Sequence, residues 1–388
     1  MKRIKVLLID QYHYWTNPAN YTSPHLLDPI VDLKIFGPGF VKEDDLKKGL
    51  TRFIDKNKGF DLYISTANFS FRKRMDKWSN YKESYLVKTA YIPYDINHFK
   101  YIEQIEEEFE LLSGIKVVFF MNQDLYNLTN THISVLEEKY DYIVAPNHSI
   151  YPKKSYESLS VETFPIDYSK YQNWHSFCFK HSKKIFPLTH FTFKDEFDYS
   201  SIYNRKNNWT VSGAEYISRV IAKEKLLQNK LIKQESKFYK LFFNFLDKRF
   251  LTKRAFLDFK KKSFFNSFKD SKYSYTCTSK LEFPLNKIFE IPTYGSLLVM
   301  PENFTVKNLG FKSMKNCIFT NPENIIQVND WLVRNQEKAS QIAIEGRNFV
   351  LTNHTLESRS ADLLKFLKKI LNKTYKGAYW QNGKITFR

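Results

Sequence analysis

Nearly continuous apolar runs punctuate the first part of the chain at 4–9, 61–65, 115–121 and 140–145. A short run without polar alternation fits a strand buried on both faces, as the interior of a parallel sheet requires. Between these runs, the spacing of apolar residues predicts helices over 43–56, 98–112 and 133–139. Strand–helix alternation of this kind implies a mainly parallel sheet covered on both sides. Ligands of such sheets gather at the carboxyl ends of the strands. Asp10, His13, Asn68, Gln123, Asp124, Asn147 and His148 are therefore expected along one rim, facing a cleft.

A second α/β unit is expected to start near residue 207. There Asn208-Trp-Thr-Val-Ser-Gly213 reads as a strand running into a glycine turn, with a long helical stretch behind it. Short strands are predicted at 297–300 and 317–320. Asn321-Pro322-Glu323 has the composition of a helix start, with a capping Asn, Pro in the first helical position and an acid in the first turn. Helical periodicity then runs almost to residue 371, broken near Asn353-His354-Thr355, where a new cap opens the last helix. The resulting division is a first domain over 1–206, a second over 207–371 and a tail over 372–388. The stretch 150–206, with Pro165, Pro187 and few clear periods, is read as an irregular part plus linker.

Composition agrees with two ordinary cores. The chain has 388 residues, 43% hydrophobic and 17% aromatic, more than one core usually supports. The formal charge of +19 calls for an anionic partner: a nucleotide, nucleic acid, phosphorylated glycan or membrane surface. Cys178, Cys277 and Cys317 are odd in number and lack any ligand spacing, so neither a disulfide framework nor a zinc site is expected and a reducing cytoplasm fits. The N-terminal apolar run stops at Asp10, short of a secretory signal core, and no run approaches the ~18 apolar residues of a membrane span.

The most informative stretch joins Tyr275-Thr-Cys-Thr-Ser-Lys280 to a predicted helix carrying Lys287 and Glu290, a Tyr294-Gly295-Ser296 turn and the apolar run up to Met300. A nucleoside diphosphate needs a carboxylate for the ribose hydroxyls, with amide donors or a lysine for the phosphates. This element offers those groups. The stretch resembles the C-terminal domain of GT-B glycosyltransferases, particularly the CgeB-like branch of the group 1 transferases. In that family a basic residue, an aromatic, Glu and Gly precede an apolar strand, matched here by Lys287, Phe289, Glu290 and Gly295. Gly346-Arg347 and His354-Thr355 followed by Arg359 match its closing helices. Position 298 is Leu where the wider group carries a second acid, and Lys287 stands where relatives often have Arg.

The resemblance implies an α/β, GT-B architecture: two Rossmann-like domains facing across a cleft. It also implies a nucleotide-sugar donor bound by the second domain through Gly213, Lys280, Lys287, Glu290, Tyr294, Gly295 and Ser296, and a glycan or lipid-linked glycan acceptor bound by the first. No metal cofactor is expected. A catalytic base, if the reaction inverts, is sought first at Asp124 and second at His13. Surface polysaccharide synthesis is the expected role. The Lys/Arg and aromatic residues interleaved through 219–269 read as helices with a solvated basic face, or as a peripheral contact with an anionic membrane.

Competing classes fit less well. A basic nucleic-acid binder lacks any finger, RNA-recognition or helix-turn-helix pattern, so nucleic acid is not expected as a partner. With 11 glycines and no Gly-x-Gly-x-x-Gly or Gly-Lys-Ser/Thr loop, nicotinamide, flavin and Walker-type sites are disfavoured. A non-catalytic glycan-binding relative stays open at this point.

Overall fold

The computed structural model describes residues 3–10, 22–66, 99–120, 128–145, 168–194, 201–213, 216–232, 254–278 and 283–388. In the first half, β1 (Lys5–Ile9), α1 (Thr22–Leu27), β2 (Asp32–Phe36), α2 (Glu43–Lys56), β3 (Leu62–Thr66), α3 (Phe99–Leu111), β4 (Ile115–Phe119), α4 (Asn130–Lys139), β5 (Tyr142–Ala145), α5 (Tyr168–Lys180) and β6 (Ile185–Pro187) alternate along the chain. The strands form one parallel sheet in the order β2-β1-β3-β4-β5-β6.

Side chains of each strand alternate between two cores, as the period of two demands. Leu7, Ile9 and Tyr63 pack with Leu50 of α2, Ile105 of α3, Leu136 of α4 and Trp174 of α5. Val6, Leu8, Leu62 and Ile64 face Leu26 and Leu27 of α1 on the other side. Within 150–206, where the pattern predicted little regular structure, the chain places α5 and β6. The order of strands reverses at β1 and β3, which opens a crevice at their carboxyl ends. Asp10 sits there, buried, with its Oδ1 accepting from Thr66 Oγ1 at 2.7 Å. A Cβ at Gly37 would overlap the carbonyl oxygen of Asp10, so the approach of β2 to this corner needs a glycine.

The second half contains β7 (Asn207–Thr210), α6 (Ile217–Gln228), α7 (Arg254–Lys269), β8 (Ser271–Tyr275), α8 (Lys287–Thr293), β9 (Leu297–Met300), α9 (Phe304–Asn308), β10 (Ile318–Phe319), α10 (Ile325–Arg334) and α11 (Gln336–Asn353). Its strands are parallel in the order β10-β9-β8-β7. Trp209, Tyr273, Leu297 and Val299 build one core with α10 and α11, while Leu298 and Met300 build the other with α8 and α9.

The final helix, α12 (Leu356–Leu371), leaves the second sheet and packs on the first. Leu363, Phe366, Leu367 and Ile370 belong to the core under Val6 and Leu8, and Phe366 stacks on Phe186 at 4.6 Å between centroids. Residues 372–388 then form an antiparallel hairpin, β11 (Ala378–Gln381) and β12 (Lys384–Phe387). Trp380 Nε1 donates to the Pro187 carbonyl at 2.6 Å, fastening the hairpin to β6. No helix among the described residues is long and apolar enough to cross a membrane. No disulfide joins the three cysteines, all of which are buried.

The junction between α11 and α12 is built around His354, fully buried among Phe289, Phe311, Phe349 and Trp380. Its Nε2 lies 2.8 Å from the Leu309 carbonyl, and its Nδ1 faces Arg359 Nη2. A guanidinium only donates, so Nδ1 is the acceptor and the proton resides on Nε2, donated to Leu309. The ring is therefore neutral. Burial, with Arg359 adding repulsion, holds its pKa well below the ordinary 6.5. Arg359 is itself buried; it donates to the Asn353 carbonyl at 3.0 Å and stacks over Trp380. Backbone bonds from Thr192 N to His354 O and from Leu356 N to Thr192 O, each 2.9 Å, tie this junction to the segment after β6.

Because the unfolded chain takes up a proton near pH 6.5 and the folded ring does not, this histidine's contribution is intact above that pH and is lost as the pH falls through it. Urea midpoints measured at pH 7.5 and 5.5 are expected to drop on acidification, and to drop less in His354→Phe. An equal drop in both proteins would contradict the assignment.

Candidate functional site

The carboxyl ends of β7, β8 and β9 share one rim, because all the strands of this sheet run parallel. After β7 the chain turns at Gly213, whose φ is 111°, and enters α6 behind Tyr216. The next basic residue, Arg219, lies in the first turn of α6 and is buried. Its guanidinium stacks 4.4 Å over the Tyr216 ring, and its Nε donates to Cys277 Sγ at 3.4 Å. Cys277 follows the end of β8, so the contact spans two neighbouring strand ends.

Lys287 arrives at the same place from another element. Short helix α8 ends at a turn through Gly295 (φ 74°), from which the chain starts β9. The N-terminal end of α8 thereby comes to the carboxyl rim. A Cβ at Gly213 would overlap the Lys287 ammonium and come within 2.8 Å of Arg219 Nη1. The positive φ calls for a glycine here, and the flexible ends of the Lys287 and Arg219 side chains pack against it. The Lys287 ammonium also lies 5.5 Å from the centre of the Phe264 ring, on α7.

Burial pushes Lys287 down to about 8, with repulsion from Arg219 adding to it and Glu290 opposing it. Glu290, one turn along α8, is pushed up to about 7 by burial, against the pull of Lys287 and Lys261. Among the described residues, two cations thus meet at a glycine turn at the positive end of α6, with the Glu290 carboxylate one helical turn from Lys287. An aromatic wall of Tyr216 and Phe264 flanks them. The two cations can take an anion at this end of α6, and Glu290 can accept from hydroxyl groups.

Of the residues singled out from the sequence, the structure brings Gly213, Lys287 and Glu290 together. Tyr294, Gly295 and Ser296 lie at the far end of α8 from Lys287, with Tyr294 N donating to the Glu290 carbonyl at 3.1 Å. Seven residues of helix advance the chain about 10 Å, which carries that turn to the opposite end of α8. There Arg205 donates to the carbonyls of Phe268 (2.9 Å), Ser271 (3.0 Å) and Tyr294 (3.0 Å), anchoring the turn. Tyr294 packs on Phe265 with Lys269 over its ring, and Ser296 Oγ bonds Ser274 Oγ at 2.7 Å. Arg219 joins the cluster without having been singled out. Lys280, Asp124 and His13 lie outside the described residues, as do Asn68, Gln123, Asn147 and His148.

The closing-helix matches do other work. A Cβ at Gly346 would stand 2.5 Å from the Asn316 carbonyl oxygen, so this glycine lets α11 meet the 312–316 loop. Arg347 Nε donates to the Thr293 carbonyl at 3.1 Å and caps the end of α8. Among the described residues, no group of three His, Cys, Asp or Glu side chains is placed to hold a metal ion.

By sequence, the chain matches no protein family model and no curated protein. Solved structures match over nearly its whole length. HepE of Anabaena in complex with UDP-glucose superposes with a TM-score of 0.51 at 9% identity, over 94% of this chain and 100% of that one. HepE with UDP and glucose gives 0.50 at 9% identity, with the same coverage of 94% and 100%. A glycosyltransferase from Rickettsia africae ESF-5 gives 0.51 at 13% identity, over 96% and 99%. The architecture is accordingly GT-B: two Rossmann-like α/β domains, each with a parallel sheet.

Proposed function

We propose that this chain is a glycosyltransferase of the GT-B type that binds a nucleotide-sugar donor at the rim of its second sheet. The observation that carries the reading is the convergence of Arg219 and Lys287 on the Gly213 turn, with Glu290 one helical turn from Lys287 and interacting with it. Arg219 and Lys287 would hold the diphosphate, the turn would bring backbone N–H groups to it, and Glu290 would accept from the ribose hydroxyls. The likeness to structures solved with UDP and UDP-glucose supports this choice of ligand. Placement in the CgeB-like branch rests on the motif order described above.

Transfer breaks the bond between the sugar's anomeric carbon and the diphosphate oxygen, so negative charge grows on the leaving group. Preorganised cations stabilise that charge more in the transition state than in the bound donor. Two side-chain cations at one place supply what a divalent ion supplies in other transferases, and we propose that no metal is required. The acceptor is a glycan or lipid-linked glycan presented from the first domain, as in surface polysaccharide synthesis, with the enzyme on the cytoplasmic side of a membrane. α7 supports a peripheral contact: Phe259 is 54% exposed, and Lys261 and Lys262 beside it are exposed.

Calorimetric titration with UDP, GDP and dTDP is expected to find one that binds the wild type. Lys287→Met and Arg219→Met should each weaken that ligand about 10- to 100-fold, equivalent to a charge-assisted hydrogen bond of about 1.5–3 kcal/mol. Glu290→Gln should weaken it less, since an amide still accepts one hydroxyl. Binding is expected to peak between about pH 7 and 8, where Glu290 is ionised and Lys287 still protonated, and to fall on both sides. Absence of binding by all three nucleotides, or variants that bind as well as wild type, would refute the reading.

Sugar transfer or donor hydrolysis should persist in excess chelator; loss of turnover that a divalent ion restores would overturn the metal-free proposal. Sedimentation with phosphatidylglycerol-containing vesicles should capture the protein at low salt and release it at high salt, and neutral vesicles should capture none. Equal recovery with both lipids would argue against the peripheral contact.

A further inference from the structure

Three hydroxyls link the glycine turn to α7. Thr210 Oγ1 and Ser212 Oγ are 3.0 Å apart, Ser212 Oγ and Ser267 Oγ are 3.0 Å apart, and Ser267 Oγ donates to the Phe264 carbonyl at 2.7 Å. Each hydroxyl has one proton. The Ser267 proton is committed to Phe264, so Ser267 accepts from Ser212; the Ser212 proton is then committed, so Ser212 accepts from Thr210. The chain of donation therefore runs one way, from β7 through the turn to α7. Its last acceptor is the carbonyl three residues before Ser267, the back-bond that serine makes inside helices.

The same turn of α7 governs the other side of the cluster. Phe264, whose carbonyl ends the hydroxyl chain, lays its ring 5.5 Å from the Lys287 ammonium. One helical turn thus fixes both partners of the Gly213–Lys287 contact, the glycine through Ser267 and the lysine through Phe264. A turn at φ 111° with no side chain at Gly213 has wide conformational freedom of its own. The hydroxyl chain is the tie across which α7 removes it. Because the Ser212 proton is used internally, this hydroxyl is not offered to a ligand as a donor.

We propose that Ser267, acting through Ser212, is a positioning residue for diphosphate recognition: it holds the Gly213 turn in place beside the Lys287 ammonium. The proposal rests on the donor-site reading above and deepens it. Ser267 touches no ligand; its effect is on where the turn's amides stand. The class of ligand it serves is the diphosphate rather than the nucleoside, since the nucleoside's ribose falls to Glu290 on another element.

The experiment is calorimetric titration of wild type, Ser267→Ala, Ser267→Thr and Ser212→Ala with the nucleoside diphosphate that binds best and with its monophosphate. Ser267→Ala and Ser212→Ala should weaken the diphosphate about five- to tenfold and change the monophosphate less than twofold. Ser267→Thr keeps a hydroxyl able to bond the same carbonyl and should restore diphosphate affinity. A purely structural role would weaken both ligands together, and that result would overturn the proposal, as would wild-type affinity in both alanine variants. Wild type binding none of the diphosphates would instead sink the donor-site reading on which the proposal stands.

Discussion

Arg219 and Lys287 meet at one glycine, against which the Lys287 ammonium packs, and the remaining features of the site follow from that crowding. Like charges brought out of water repel, and each loses hydration that its neighbour cannot replace. Lys287 registers this as a pKa drawn down to about 8. Glu290 offsets part of the charge while its own carboxyl is pushed up to about 7. The surrounding contacts are consistent with holding the cations in place, since aromatic rings flank both and a thiol accepts from Arg219.

The scaffold explains how these groups can be held so closely. Parallel strands bring all their carboxyl ends to one rim, and the start of α8 reaches that rim because the chain reverses at Gly295 to begin β9. Arg205 secures the far end of the same element by bonding three carbonyls, from α7, β8 and the Tyr294 turn. The two halves of the chain are in turn coupled at the His354–Arg359 junction, where α11 of the second sheet gives way to α12 on the first. A neutral histidine and a buried guanidinium there replace the apolar packing found elsewhere in the cores. The arrangement lets one short joint bond the second half at Leu309 and the first at Thr192.

Much of this was legible in the sequence, and the parts that were not have physical reasons. β1, β3, β4, β5 and β9 are buried on both faces and announce themselves as apolar runs. β2 reads Asp-Leu-Lys-Ile-Phe because it is an edge strand, and its exposed positions dilute the signal. β8 reads Ser-Lys-Tyr-Ser-Tyr; its serines are buried, and Ser274 is satisfied by Ser296 in the turn before β9, which no pattern of hydrophobicity reveals. β6 is three residues long and ends in proline, so it left little trace among the aromatics of its region. In the site, Gly213, Lys287 and Glu290 stood out through their neighbours in sequence. Arg219 did not, because a lone arginine in a strongly basic segment resembles solvated background. Its one distinguishing signal was position, in the first helical turn after the glycine. The Tyr294–Ser296 turn is adjacent to Glu290 both along the chain and in space, where Tyr294 N donates to the Glu290 carbonyl, while α8 sets it at the far end from Lys287.

The central claim is a spatial one, that a nucleoside diphosphate occupies the rim between Gly213, Arg219 and Lys287. A crystal structure of the protein grown with the best-binding nucleoside diphosphate tests it most directly. The account predicts phosphate oxygens within hydrogen-bonding distance of the Lys287 ammonium, the Arg219 guanidinium and an amide of the Gly213 turn, with both ribose hydroxyls on Glu290. A nucleotide bound elsewhere, with this cluster unoccupied, would contradict it.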